Sequence, residues 1–251
     1  MLKRVLAVPA VLLPLLATAA CGSDTTAPDS AGSTTPPAPT TTAASSGTTT
    51  AAANGPCTYV TDGSQPAKGV TPPPSKPEYS GKVTATFDMS FGTLKATLDA
   101  DTAPCTVESF ASLVKQGYYD GSSCHREGND PGFEFLQCGD PLFDPKHPNP
   151  QTDGTHGPGY TIPDELTGKE TYPAGTLAMA NTGAPNSGGG QFFICFGDSQ
   201  FPPAYTVWGH LDAASLALLK TATKSGNDGA FASVGGGYPN TPITFRSVKV
   251  G

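Results

Sequence analysis

Three segments of the 251-residue chain concentrate side chains that could do chemistry. Cys124-His125-Arg126 carries a permanently charged guanidinium, a rigid fork of donors. Phe135-Leu136-Gln137-Cys138-Gly139-Asp140-Pro141 places an amide between aromatic and acidic neighbours. Gly175-Thr176-Leu177-Ala178-Met179-Ala180-Asn181 and then Asn186-Ser187-Gly188-Gly189-Gly190-Gln191-Phe192-Phe193-Ile194 complete the set. None of these residues forms a hydrolase, since no Ser or Cys nucleophile is matched to a His base. Gly188-Gly189-Gly190 is turn chemistry, because a phosphate loop needs a following Lys-Ser/Thr and a helix. His147, His156, Asp144 and Asp153 could gather a cation in one loop, but ligand spacing for zinc is missing, so no metal and no cofactor is expected. A lone Arg in a strand is usually solvated or salt-bridged, so the ordered set of segments carries more weight than any one residue.

In that order the segments resemble the cyclophilins, whose signatures are a His-Arg before a Gln-Gly-Gly-Asp strand, then Met-Ala-Asn, then Gly-Ser-Gln-Phe-Phe. The resemblance covers residues 82–250 and is strongest to the actinobacterial membrane-anchored lipoprotein branch, which also reads Cys-His-Arg and Leu-Gln-Cys-Gly-Asp-Pro. It implies a mainly β fold, a closed eight-stranded antiparallel β-barrel capped by two α-helices, and peptidyl-prolyl cis-trans isomerase activity. That reaction breaks no bond. Resonance opposes rotation with a barrier of about 18–20 kcal/mol, and X-Pro bonds isomerise unaided in tens to hundreds of seconds. Catalysis needs a pocket for the proline ring, a grip on the preceding carbonyl, and a donor that favours a pyramidal prolyl nitrogen over a conjugated one.

The resemblance assigns that donor to Arg126, and places Gln137 and Asn181 on the peptide backbone, with Ala180 and Thr182 beside them. Phe193 matches the floor of the proline pocket, Phe135 and Phe201 match apolar walls, and Gln191 matches a groove residue. Gly154 matches the glycine lining a side pocket, and Tyr205 stands where a His is common. Eleven positions separate Arg126 from Gln137, where eight is usual. Counting back from Gln137 puts Glu134 at a wall position that is normally aromatic, a role Phe133 takes if a bulge intervenes. Gln200 stands where some members carry the Trp that contacts cyclosporin, which predicts weak or no cyclosporin binding. An insertion over 142–152 is placed to overhang the groove. His125 is expected to make a buried structural hydrogen bond. The implied partners are proline-containing peptides and unfolded exported proteins, with the chain acting as a monomer. The alternative is a proline-peptide binding module or chaperone with little turnover.

The elements that must position these residues follow from periodicity. Val83, Ala85, Phe87 and Met89 alternate with polar residues, and after Phe91-Gly92 so do Leu94, Ala96 and Leu98, which predicts a hairpin. Pro104 opens a helix whose Val107, Phe110, Ala111 and Val114 share a face up to Gly117, and a second helix runs from Asp212 to Lys224. Short strands are expected at 123–127, 133–138, 175–180, 191–196, 205–210 and 243–249.

Upstream lies different material. Residues 1–20 have the basic start, short apolar run and small-residue end of a signal peptide, too short to span a bilayer. Cys21 follows as in a lipobox, implying lipidation there, membrane anchoring and an extracytoplasmic location. Residues 21–56 read as a disordered Ser/Thr/Pro/Ala tether, 57–80 as a Pro-rich arm packed on the domain, and 81–251 as the domain itself. The 30 Gly and 26 Pro are about 22% of the chain against roughly 12% in average proteins, and they exclude a coiled coil or helical solenoid. Net charge is −7 with no basic cluster after residue 4, which excludes nucleic acid as an expected partner. Besides Cys21, five cysteines remain, so one stays unpaired, and apolar surroundings favour Cys195. The other four allow three pairings. The expected one is Cys105 with Cys124 and Cys57 with Cys138.

Overall fold

The computed structural model describes residues 56–231 and 233–251. The expected signal peptide, Cys21 and all of the tether but Pro56 lie outside them. The alternating segments form β2 (Lys82–Met89) and β3 (Gly92–Asp99), paired throughout from Lys82–Asp99 to Met89–Gly92. Then come α1 (Pro104–Lys115), β4 (Arg126–Asp130), β5 (Phe133–Cys138), β7 (Thr176–Met179), β8 (Phe192–Cys195), β9 (Val207–Leu211), α2 (Ala213–Ala222) and β10 (Phe245–Val250). Two short strands, β1 (Val60–Thr61) and β6 (Tyr160–Thr161), pair apart from the main sheet.

The main sheet is antiparallel, in the order β10-β2-β3-β9-β7-β8-β5-β4. It curls around one core, where the Phe110 ring lies tilted 4.7 Å from that of Trp208 and 5.8 Å from those of both Phe87 and Phe192. Closure between the edge strands is made at one end, by the residues that precede β4. Gly121 N donates to Phe245 O at 2.9 Å, and Cys124 N donates to Ile243 O at 2.8 Å. Beyond that point β4 meets a loop instead, through Glu127 and Gly237, so the barrel is a curl closed at one end.

Helix α1 is buried almost all round, from Pro104 through Ala111 and again at Leu113. The barrel covers one side of it and the arm the other. Its first amides lack a cap from their own segment, and the Glu165 carboxylate accepts from Cys105 N at 2.8 Å and Thr106 N at 2.9 Å. Helix α2 starts at Asp212, which accepts from Ser215 N at 2.7 Å, and buries only Ser215 and Leu219.

The cysteine pairing differs from the expected one. Cys57 is bonded to Cys105 and Cys124 to Cys138, with Cys195 free and buried. The regular ladder ends at Arg126–Gln137; just beyond it His125 N donates to Gln137 O at 3.1 Å, a one-residue offset that lets Cys124 meet Cys138 at a Cα separation of 4.0 Å. Cys105 sits in the first turn of α1 under the arm, where Tyr59 Oη donates to its carbonyl at 3.0 Å and Cys57 reaches it.

Candidate active site

Strand alternation divides β5, β7 and β8 between two faces. Leu136, Leu177, Met179, Phe192 and Ile194 enter the core, while Phe135, Ala178, Phe193 and Cys195 form a second cluster on the outer face. Phe193 and Phe135 lie 6.0 Å apart, and Phe201 stands 5.3 Å from Phe193 and 5.5 Å from Phe135. Tyr205 closes the far side, 5.3 Å from Phe193. Tyr172 supports this floor: its hydroxyl accepts from Tyr205 N at 3.0 Å and donates to Tyr205 O at 3.1 Å. Tyr172 lies in a loop with no periodicity, and the sequence pointed nowhere near it. Burial pushes the Cys195 thiol beneath the pocket up to about 12, so it is an inert filler.

The wall between β4 and β5 needs no bulge. The hairpin pairs regularly from Arg126–Gln137 to Asp130–Phe133, so the extra residues simply lengthen it. Phe133, Phe135 and Gln137 therefore share the outer face, with Phe133 4.8 Å from Phe135 and 5.5 Å from Phe201. Glu134 points the other way, toward Gly197. Gly128 makes room for both rings, since a Cβ there would lie 2.6 Å from the Phe135 ring edge and 2.7 Å from that of Phe133.

Arg126 stands at the rim. Its guanidinium carbon lies 5.2 Å from the Phe135 ring centre and 5.7 Å from that of Phe133. Nε donates to Gly235 O at 3.1 Å, and Nη2 to Val234 O at 2.6 Å and Gly235 O at 3.0 Å. Nη1 has no partner and no carboxylate pairs with the group among the described residues. Burial draws the Arg126 pKa down, yet a guanidinium stays charged. Two backbone carbonyls thus aim a charge that nothing else neutralises.

Glu127, on the opposite face of β4, is fully buried, with Oε1 accepting from Asn129 Nδ2 at 2.7 Å and Oε2 unpartnered. Desolvation raises its pKa from 4.5 to about 7. Between those values the folded chain keeps a proton that the unfolded chain has lost, so the cost of Glu127 grows with pH and is complete above 7. Glu127→Gln is expected to stabilise the protein at pH 8 by on the order of 2 kcal/mol, or about 4–8 °C in Tm, and to do little near pH 4. Thermal melts across that range check it; an equal shift at both ends would contradict it.

Beside the aromatic pocket runs a chain of amides. Gln137 Nε2 donates to Gln191 Oε1 at 3.1 Å, and Gln191 Nε2 to Gly154 O at 2.7 Å. Ala180 N donates to Gln191 O at 3.0 Å, and Asn181 is fixed by Ala204 O at 2.9 Å and Gly183 N at 3.0 Å. Gln137, Gly154, Ala180, Asn181, Thr182 and Gln191 all border an adjoining cleft of about 390 Å³. Gly154 has φ +78° and a Cβ there would lie 3.1 Å from the His125 ring, so this wall is backbone.

His125 departs from expectation: it is buried, its ring nitrogens have no partner among the described residues, and burial lowers its pKa to about 4, keeping it neutral. The inserted loop also sits elsewhere. Phe143 stacks on Tyr238 at 5.4 Å, and none of residues 142–152 lines the cleft. His147 pairs with Asp144 at 2.8 Å, His156 with buried Asp140 at 2.9 Å, and Asp153 with the Tyr238 hydroxyl at 2.8 Å, so these groups do not gather. Gln200 packs against the hairpin turn, its backbone N–H donating to Gly132 O at 2.8 Å.

A curled antiparallel barrel with two helices, an aromatic pocket on its outer face and an unneutralised arginine at the rim defines a class of barrel whose ligand groove is built on the sheet surface. Residues 84–249 match the family described as cyclophilin type peptidyl-prolyl cis-trans isomerase/CLD, and the chain belongs to that family. The probable peptidyl-prolyl cis-trans isomerase B of Mycobacterium leprae is 38% identical over 209 residues, covering 77% of this chain and 66% of that protein. Its namesake in Mycobacterium tuberculosis is 38% identical over 184 residues, covering 68% of this chain and 56% of that protein. A crystal structure of a cyclophilin type isomerase from Cryptosporidium parvum shares the fold, with a TM-score of 0.53 at 25% identity over 68% of this chain and 98% of that one. The chain therefore spans less than two thirds of the length of these mycobacterial relatives.

Proposed function

We propose that the protein is a peptidyl-prolyl cis-trans isomerase acting on X-Pro bonds of exported proteins. The observation that carries this is the unneutralised Arg126 guanidinium at the rim of an aromatic pocket. A proline ring seated on Phe193, between Phe135, Phe133 and Phe201, puts the prolyl nitrogen within reach of the free Nη1. A donor there withdraws the nitrogen lone pair from the amide and lowers the barrier to rotation, a stabilisation specific to the twisted state. Gln137 and Asn181 hold the flanking backbone, with Gln191, Ala180, Thr182 and Tyr205 lining its path. The relatives' names support the reading, as does a Cryptosporidium parvum cyclophilin structure determined in the presence of the dipeptide Ala-Pro.

The setting rests on the N-terminal sequence: a signal peptide, lipid on Cys21 and a tether would hold the domain outside the cytoplasmic membrane. Two disulfides suit an oxidising compartment. No helix among the described residues is long and apolar enough to cross a membrane.

The test is exchange NMR on an Ala-Pro peptide with catalytic amounts of protein. Accelerated cis-trans exchange is expected; binding without acceleration would favour a proline-peptide binding module. Cyclosporin is expected to bind weakly, because Gln200 replaces a large indole contact with a short amide, and Gln200→Trp should tighten it at least about tenfold, the worth of one well-packed aromatic anchor. Titration of both proteins checks this, and equal affinity would remove Gln200 as the cause.

A further inference from the structure

The side cleft is completed by a residue from outside the family's domain. The family match begins at residue 84, yet the arm reaches the rim of the cleft at Asp62. The arm is held there by backbone. Val60 and Thr61 pair with Thr161 and Tyr160, Asp62 N donates to Gly159 O at 3.2 Å, and Ala67 N donates to Gly157 O at 2.9 Å. Asp62 Oδ1 is occupied by Ser64, accepting from its amide at 2.8 Å and its hydroxyl at 2.6 Å, which fixes the carboxylate and leaves Oδ2 without a partner among the described residues.

The rest of the lining does not offset this charge. Among the described residues it is amides, hydroxyls and backbone, with no Lys or Arg. Its only other ionisable side chains are His156, already paired with Asp140, and Tyr160, whose hydroxyl is hydrogen-bonded to Ser109 at 2.9 Å. The cleft shares Gln137, Ala180, Asn181 and Gln191 with the approach to the aromatic pocket, so a peptide with its proline in the pocket lays a neighbouring side chain along it.

We infer that the arm makes this cleft a selective subsite, in which Asp62 favours substrates carrying a lysine or arginine next to, or one residue removed from, the proline. The inference rests on the isomerase reading and names the substrate class of the same groove. Its test is a peptide set with lysine, norleucine or glutamate at each of the two positions on either side of the proline, turned over by wild type and Asp62→Asn. Asparagine keeps Oδ1 for Ser64 and removes only the charge. At one position the wild-type kcat/KM is expected to favour lysine over glutamate by about three- to fivefold at low salt, the scale of an exposed ion pair. That ratio should fall toward one in about 1 M salt, where exposed charges are screened, and in Asp62→Asn at any salt. No charge preference in the wild type, or one that persists in Asp62→Asn, overturns the inference. Should no peptide be turned over, it is the isomerase reading that fails; fluorescence anisotropy on the same peptides still measures the lysine preference and its loss.

Discussion

Arg126→Ala is expected to lower kcat/KM on an Ala-Pro peptide by about 10²–10³-fold, the scale seen when one preorganised donor to a transition state is removed. The geometry explains why so much depends on one side chain. Nε and Nη2 are committed to the carbonyls of Gly235 and Val234, and the guanidinium lies over Phe133 and Phe135, so it is aimed before substrate arrives. Arg126→Lys should recover little, because an ammonium is a point charge on a flexible stem and cannot bond both carbonyls while donating to the substrate. Circular dichroism and Tm should stay near wild type, since Arg126 is only half-buried on an edge strand. A variant that folds normally and isomerises at the wild-type rate would sink the mechanism.

The second large effect concerns the arm. Replacing Cys57 and Cys105 together by alanine is expected to cost about 4 kcal/mol, because a crosslink over a separation of 48 residues removes that much loop-closure freedom from the unfolded chain. The corresponding fall in Tm is roughly 8–16 °C for a domain of this size. The other holds on the arm are spread along it: the two-residue β1–β6 pairing, the Ala67 amide on Gly157 O at 2.9 Å, Thr71 N on Gln116 Oε1 at 2.9 Å and the burial of Ala67 and Val70, while the exposed Lys115–Glu78 pair at 3.1 Å contributes little. Limited proteolysis should therefore find its first new cuts between residues 57 and 80. Equal Tm and an equal cleavage pattern in variant and wild type would show that packing on α1 alone secures the arm.

The same variant would separate two roles of the arm. Where the loosening extends through β1, it displaces Asp62 from the side cleft while leaving Arg126 and the aromatic residues of β5 and β8 in place. Loss of lysine preference with retained turnover on a neutral peptide is the outcome consistent with Asp62 acting from the arm.

Much of this molecule is local and so legible in residue order. The β2–β3 hairpin shows in strict alternation, α1 in Pro104 and the spacing of Val107, Phe110 and Ala111, and the groove in short motifs whose residues sit on neighbouring strands. Val114 packs on the core as its spacing predicts, but Leu113, which that spacing leaves out, is fully buried as well because the arm and barrel enclose α1 from both sides. The choice between Phe133 and Glu134 depended on whether the hairpin carries a bulge, and a one-residue slip reverses every side chain. Only the regular pairing to Asp130 decided it.

Alternation, helix periodicity, turn residues and motif order were thus determined by the sequence alone, because each depends on residues a few positions apart. Which cysteines bond, what aims Arg126, what supports Tyr205 and what closes the side cleft were decided by tertiary structure. Cys57 meets Cys105, Arg126 meets Val234, Tyr172 meets Tyr205 and Asp62 comes to the cleft beside Gly159 across separations that no local pattern encodes. Those meetings exist only once the sheet has curled and the arm has docked on α1.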